Sequence, residues 1–179
     1  PPRSTLFPYT TLFRSNGPLL GCDVACGWGR IALALPHYEN RRVLACDLSQ
    51  ACLDSLALLI QSSQLQDKVT PSQADILHMP FADDTFDFFT AFDIYEHLSL
   101  AQVVQSVQEL LRCAKKGAVL YTEIPLECFC PALTHVQNWT ASEVHKIFQS
   151  QSYGGKRLQL KLTHRYAPEH MRSEERRVG

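Results

Sequence analysis

Short apolar runs alternate with helical patterns along this chain. Leu19-Leu20-Gly21-Cys22-Asp23-Val24-Ala25 suits a buried strand that ends in a glycine turn, and Gly29 to Leu35 reads as a helix closed near Pro36. Arg42 to Asp47 is a second strand-like run; Ser49 then caps a helix with Leu53, Leu56, Ala57 and Ile60 on one face. Val69 to Asp75 is a weaker third strand, residues 80–84 form a loop, and Phe86 to Phe92 is an aromatic fourth strand. Ser99 caps a helix carrying Val103, Val104, Val107, Leu110 and Leu111, closed by Lys115-Lys116-Gly117. Ala118 to Ile124 is a fifth strand, stopped by Pro125. Thr140-Ala141-Ser142-Glu143 is a capping box for a helix reaching about Gln151, broken by Gly154-Gly155. Leu158, Leu160 and Leu162 alternate as a sixth strand. This order implies an α/β fold: a doubly wound, Rossmann-like, mostly parallel sheet with helices on both faces.

The two ends fall outside that pattern. Residues 8–15, written as CCC TAC ACG ACG CTC TTC CGA TCT, have a reverse complement that translates as Arg-Ser-Glu-Glu-Arg-Arg-Val-Gly, which is Arg172 to Gly179. Residues 1–15 and 172–179 are therefore expected to be translated sequencing-adapter DNA, leaving residues 16–171 as a truncated domain. Without the ends, 12 basic and 16 acidic side chains give a net charge of −4. A mildly acidic surface offers no footprint for duplex nucleic acid, so no nucleic-acid partner is expected. No apolar run is long enough to span a bilayer, and the 7 cysteines with no secretory leader read as reduced thiols of a cytoplasmic protein.

Gly27-Trp28-Gly29 sits between the first strand and the following segment, where glycines allow positive φ and close approach of a ligand. Asp23 precedes the turn, Asp47 ends the second strand, Asp75 the third, and Asp93 follows the fourth. Ligands of open α/β sheets bind beyond the carboxyl ends of the strands, so four acids converge on one rim and suggest a nucleoside site. An acid after the second strand can accept from both ribose hydroxyls, and one after the third from an exocyclic amine. Trp28 either covers a bound cofactor or packs toward solvent.

Cys22-Asp23-Val24-Ala25-Cys26-Gly27-Trp28-Gly29-Arg30 resembles the first motif of class I S-adenosylmethionine-dependent methyltransferases. Residues 75–87, Asp93-Ile94-Tyr95-Glu96-His97-Leu98 and the stretch from Glu109 to Gly117 resemble that family's later segments, in order. The resemblance implies S-adenosyl-L-methionine as cofactor and a small-molecule methyl acceptor. It places Gly27 and Gly29 against the methionine moiety, with Asp23 facing its ammonium side. Asp47 holds the ribose, Leu48 packs on the adenine, Asp75 reads the adenine amine with Ile76 beside the ring, and Phe92 and Asp93 close over the methionine end. The family usually has glycine where this chain has Ala25, at a cost of about 1 kcal/mol or more if that position needs φ > 0. The family also ends in a hairpin whose final strand is antiparallel, and residues 165–171 are too short for it, so the sheet is expected to lack its terminal strand, with marginal stability and aggregation as the result.

Methyl transfer needs alignment and sometimes proton removal, and His97 and Glu96 are the candidate proton acceptors, with His97 read alternatively as a hydrogen bonder that orders the loop. Asp93-x-x-Glu96-His97 also resembles the metal-binding segment of some O-methyltransferases, but the ligand set is incomplete and no metal is assigned. The cysteine spacings do not suit zinc; Cys22, Cys46 and Cys52 read as buried thiols, and Tyr121, Phe129 and Trp139 as either acceptor-pocket or core residues. Two other readings stay open: a catalytically silent cofactor-binding or scaffold domain, and a nicotinamide-dependent oxidoreductase. Gly27 to Ala32 satisfies G-x-G-x-x-A with Asp47 twenty residues on, but Asp23 suits a cationic amino-acid moiety better than a pyrophosphate.

Overall fold

The computed structural model describes residues 17–37, 41–125, 136 and 139–157. Five strands form one parallel sheet: β1 (Leu19–Val24), β2 (Arg41–Asp47), β3 (Val69–Gln73), β4 (Phe86–Phe92) and β5 (Ala114–Glu123). Their order is β3-β2-β1-β4-β5. The chain first winds outward from β1 through β2 to β3, then returns to the other side of β1 with β4. The change of direction leaves a crevice at the carboxyl ends of β1 and β4, where open α/β sheets bind ligands. Pro71 is accommodated because β3 is the edge strand of this sheet.

The pleat sorts side chains between the two faces. On one face Val43, Ala45 and Phe88 pack with Leu56 and Ile60 of α1 (Gln50–Ser62). On the other, Cys22, Val24, Cys46 and Phe89 pack with Leu110 of α2 (Leu100–Cys113). A third cluster joins α2 to α3 (Ala141–Ser150) through Tyr95, Val103, Val107, Val144 and Phe148. The expected doubly wound α/β architecture is what the chain adopts.

The caps follow the sequence. Ser49 Oγ accepts the Cys52 N–H at 3.3 Å, and Ser99–Gln102 and Thr140–Glu143 are both complete capping boxes. Of the expected α1 face, Leu53, Leu56 and Ile60 are buried while Ala57 is exposed; on α2, Val104 is half-buried.

Four expectations are corrected. The segment from Gly29 to Leu35 is a series of turns rather than a helix, followed by a 3-10 turn at Leu35–His37. Gly29 has φ +83°, which no α-helix accepts, and Pro36 leaves too few residues after it to propagate one. The third strand stops at Gln73, so Asp75 lies in the loop beyond it. Lys115-Lys116-Gly117 belongs to β5: pairing of Phe86 with Ala114 ends α2 at Cys113. The register then shifts before Phe88 meets Val119, and Gly117 lies inside this irregularity at φ +85°. Finally, Gly154-Gly155 is the two-residue turn of a small hairpin, β6 (Ser152–Tyr153) and β7 (Lys156–Arg157), with φ +54° and +78°. The expected sixth strand at Leu158, Leu160 and Leu162, the missing terminal strand, the adapter-like ends and Phe129 lie outside the described residues.

Candidate cofactor site

The site begins with a cross-strand pair. Asp23 of β1 and Thr90 of β4 are register partners, 2% and 0% exposed. The Thr90 hydroxyl donates to Asp23 Oδ1 at 2.5 Å, and Oδ2 is buried without a bond of hydrogen-bonding geometry. Burial pushes the Asp23 carboxyl up to about 7, against the pull of the Thr90 hydroxyl, the Ala32 N–H and the Arg30 charge, while Asp47 adds to the rise. Asp23 was expected among rim acids; it is instead an interior carboxylate.

The turn after β1 is held from β2. The Cys26 N–H donates to Cys46 O at 2.9 Å, and the Gly27 N–H to Asp47 Oδ2 at 2.8 Å. Asp47 Oδ1 accepts the Ser49 N–H at 2.9 Å, so the same carboxylate also steadies the entry to α1. Ala25 has φ +54° and Gly27 φ +53°. Gly29 serves a different purpose from Gly27: a Cβ there would meet Leu56 Cδ1 at 2.3 Å, so α1 closes against it, whereas Gly27 has open space and needs only its backbone freedom.

The remaining expected residues are distributed as follows. Leu48 and Trp28 expose 63% and 72% of their surface. Asp93, at φ +52°, is exposed and pairs with Arg30 at 3.6 Å, bridging the turn and the segment after β4. Phe92 is half-buried against the α1-side core. Asp75 Oδ1 accepts the Leu77 N–H at 2.8 Å, and the Ala74 N–H donates to Asp47 O at 3.1 Å, tying this loop to the end of β2. Ile76 is 7% exposed and belongs to the core. Glu96 is 2% exposed and His97 half-buried, both in a 3-10 turn at Tyr95–His97. Trp139 is a core residue whose Nε1–H donates to Tyr95 O at 3.1 Å. Cys22 and Cys46 are buried with sulfurs 3.6 Å apart, and Cys52 is half-buried. Among the described residues no three His, Cys, Asp or Glu side chains form a group that could hold a metal.

Several residues that shape the site were given no role there by the sequence reading. Gln105, Glu109 and Arg112 lie at helical spacing on α2 and stitch down the loop after β3. Gln105 Nε2 donates to Leu77 O at 3.1 Å, and Glu109 Oε2 accepts the Met79 N–H at 2.8 Å. Arg112 reaches Met79 O, Phe81 O and Asp83 at 2.7–3.0 Å and pairs with Glu109. Lys156 of β7 adds a tripod, donating to Asp84 Oδ1, Arg112 O and Ala114 O at 2.8–3.0 Å. The i, i+4, i+7 polar stripe on α2 is visible in the sequence; its main-chain partners are not.

Residues 22–117 match a family described as "Methyltransferase domain". A demethylmenaquinone methyltransferase of Lactobacillus johnsonii is 28% identical over 106 residues, covering 58% of this chain and 43% of that protein. The methyltransferase GfsG of Streptomyces halstedii is 32% identical over 98 residues, covering 54% and 35%. The chain thus spans about half or less of these relatives' lengths. Among solved structures, YcgJ from Bacillus subtilis superposes with a TM-score of 0.68 at 21% identity, covering 79% of this chain and 64% of that one. Geranyl diphosphate C-methyltransferase from Streptomyces coelicolor A3(2), solved with S-adenosyl-L-homocysteine, gives a TM-score of 0.54 at 20% identity, covering 58% and 38%.

Proposed function

The chain belongs to the methyltransferase domain family, and we propose that it binds S-adenosyl-L-methionine in the crevice between β1 and β4 and transfers the methyl group to a small molecule. The observation that carries the reading is Asp23 Oδ2, a buried carboxylate oxygen without a bond of hydrogen-bonding geometry beside a glycine turn. A buried polar atom of this kind costs free energy until a partner arrives, and an amino-acid ammonium is a fitting one. The donor set agrees: Asp47 and Asp75 supply acceptors for ribose hydroxyls and an exocyclic amine, and exposed Leu48 supplies apolar surface for a purine.

The cofactor, when bound, supplies an electrophilic methyl on a sulfonium. The protein's share is orientation. Gly27 lets the backbone approach the methionine portion, Gly29 lets α1 close behind the turn, Asp47 holds the turn through the Gly27 N–H, and the Arg30–Asp93 pair spans the crevice at 3.6 Å. His97 is the candidate to take a proton from an acceptor. Glu96, at 2% exposure, is the weaker candidate because its carboxylate is removed from water. That burial is also the observation favouring a second reading, a domain that binds the cofactor without transferring its methyl. The relatives named for methylating demethylmenaquinone support a small organic acceptor.

Titration calorimetry with S-adenosylhomocysteine tests the reading. Saturable one-to-one binding is expected; no heat of binding at millimolar ligand overturns it.

A further inference from the structure

We propose that Thr90 is a positioning residue of the cofactor site, turning the Asp23 carboxylate so that one oxygen is reserved for the ligand's ammonium group. The inference rests on the cofactor reading above and extends it to a residue on another strand.

Three observations carry it. First, Thr90 is the single hydroxyl in the buried stretch Phe88-Phe89-Thr90-Ala91, where a valine of the same shape would fill the space equally well. A hydroxyl in such surroundings is costly unless bonded, and its proton goes to Asp23. Second, the two residues face each other across paired strands, so the bond is set by the sheet register rather than by a mobile loop. Third, the Thr90 bond engages Oδ1 and leaves Oδ2 buried without a bond of hydrogen-bonding geometry, the Ala32 N–H acting on the carboxylate more weakly than the hydroxyl, so Oδ2 is the oxygen open to a ligand.

The arrangement has an electrostatic consequence. The charged groups around Asp23 are Arg30 from the turn and Asp47 from β2, with the thiols of Cys22 and Cys26 flanking it on its own segment. Of the influences that favour the ionised form, the Thr90 hydroxyl is the largest, ahead of the Ala32 N–H and Arg30. An ammonium ligand pairs with the ionised form. Affinity therefore rises with pH as Asp23 loses its proton, and removing the hydroxyl moves that rise to higher pH.

The experiment is calorimetry with S-adenosylhomocysteine between pH 6 and 9 on the full chain and on Thr90→Val, Thr90→Ser and Thr90→Ala. Wild-type affinity should climb through neutral pH and level off. Thr90→Val should bind about tenfold more weakly at pH 7, with its midpoint displaced upward, while Thr90→Ser follows the wild type. Thr90→Ala carries the same expectation as the valine variant and serves if that one does not fold. A purely structural threonine would lower affinity without moving the pH midpoint, and a midpoint unchanged in the valine or alanine variant overturns the proposal. No binding by the wild type at any pH overturns the cofactor reading itself, and this inference with it.

Discussion

Asp47 Oδ2 accepts the Gly27 N–H at 2.8 Å, so the carboxylate expected to hold a ribose also holds the turn against which the rest of the cofactor would lie. The two tasks are compatible because a carboxylate has about four acceptor directions and only two backbone N–H groups use them here. Asp47→Ala is therefore expected to weaken S-adenosylhomocysteine binding by about 1–3 kcal/mol and to loosen the turn. Calorimetry beside a denaturant melt checks both effects. Unchanged affinity would remove Asp47 from the site.

Ala25 sits at φ +54°, in the left-handed region where a side chain is strained. Of the two possibilities left open by the sequence, the costly one applies. Ala25→Gly is expected to raise stability by up to about 1 kcal/mol, the relief of strain being partly offset by a freer unfolded chain. A urea-unfolding midpoint at or below the wild-type value contradicts this.

The raised Asp23 carboxyl has a sign that can be worked out. Its value in the fold, about 7, exceeds the ordinary 3.8, so its contribution favours folding at low pH and is lost as pH rises through 7. Asp23→Asn, which keeps an acceptor for Thr90, should stabilise the unliganded protein at pH 8 by about 1–3 kcal/mol and weaken binding of the homocysteine product. Thermal melts at pH 5 and pH 8 test it: a stability gain of the same size at both values would show that ionisation is not the cause.

Glu109 behaves in the opposite sense. The Arg112 guanidinium, more than the Met79 N–H, holds its carboxyl below the ordinary value of 4.5. The associated stability is present above that value and lost as pH falls through the lower folded one. Arg112→Ala removes the bonds to Met79, Phe81, Asp83 and Glu109 together and is expected to cost about 2 kcal/mol near neutral pH, with a smaller loss near pH 3. Urea unfolding at the two pH values provides the comparison; an equal cost at both would mean that the ion pair contributes nothing.

Removing residues 1–15 and 172–179 is expected to leave cooperative unfolding and product binding intact. The motivation is the reverse-complement relation between residues 8–15 and 172–179. Loss of cooperativity in the shortened chain alone would show that the ends support the domain.

Much of the sheet was legible because local pattern and tertiary need coincide there. Phe86 to Phe92 is mostly apolar and aromatic and becomes β4 with those bounds, and Thr140 and Glu143 form the capping box their spacing announced. The failures share a cause: a partner distant in sequence decided the outcome. Lys115 to Gly117 carries the residues of a helix end, yet pairing with β4 draws it into a strand. The residues after Gly29 look helical until the φ of Gly29 and its contact with Leu56 are known. Around the candidate site, the positions of Asp47 at the end of β2 and Asp93 just after β4 were readable from the sequence, whereas the burial of Asp23 was not. Thr90, the partner that gives Asp23 its orientation, was one hydroxyl in an aromatic run with nothing nearby to mark it.

The residues of the Asp23–Thr90 pair are 67 positions apart, which has a consequence during synthesis. A ribosome adding about 5–20 residues per second needs roughly 3–13 s to pass from one to the other. Throughout that interval β1 lacks its neighbour in the middle of the sheet, and the Asp23 carboxylate remains hydrated and ionised. Burial of that charge therefore waits for β4 to dock. A ligand able to pair with it can act only on a chain whose central strands have already met, so the cofactor would serve as a late stabiliser of this domain rather than a template for its first half.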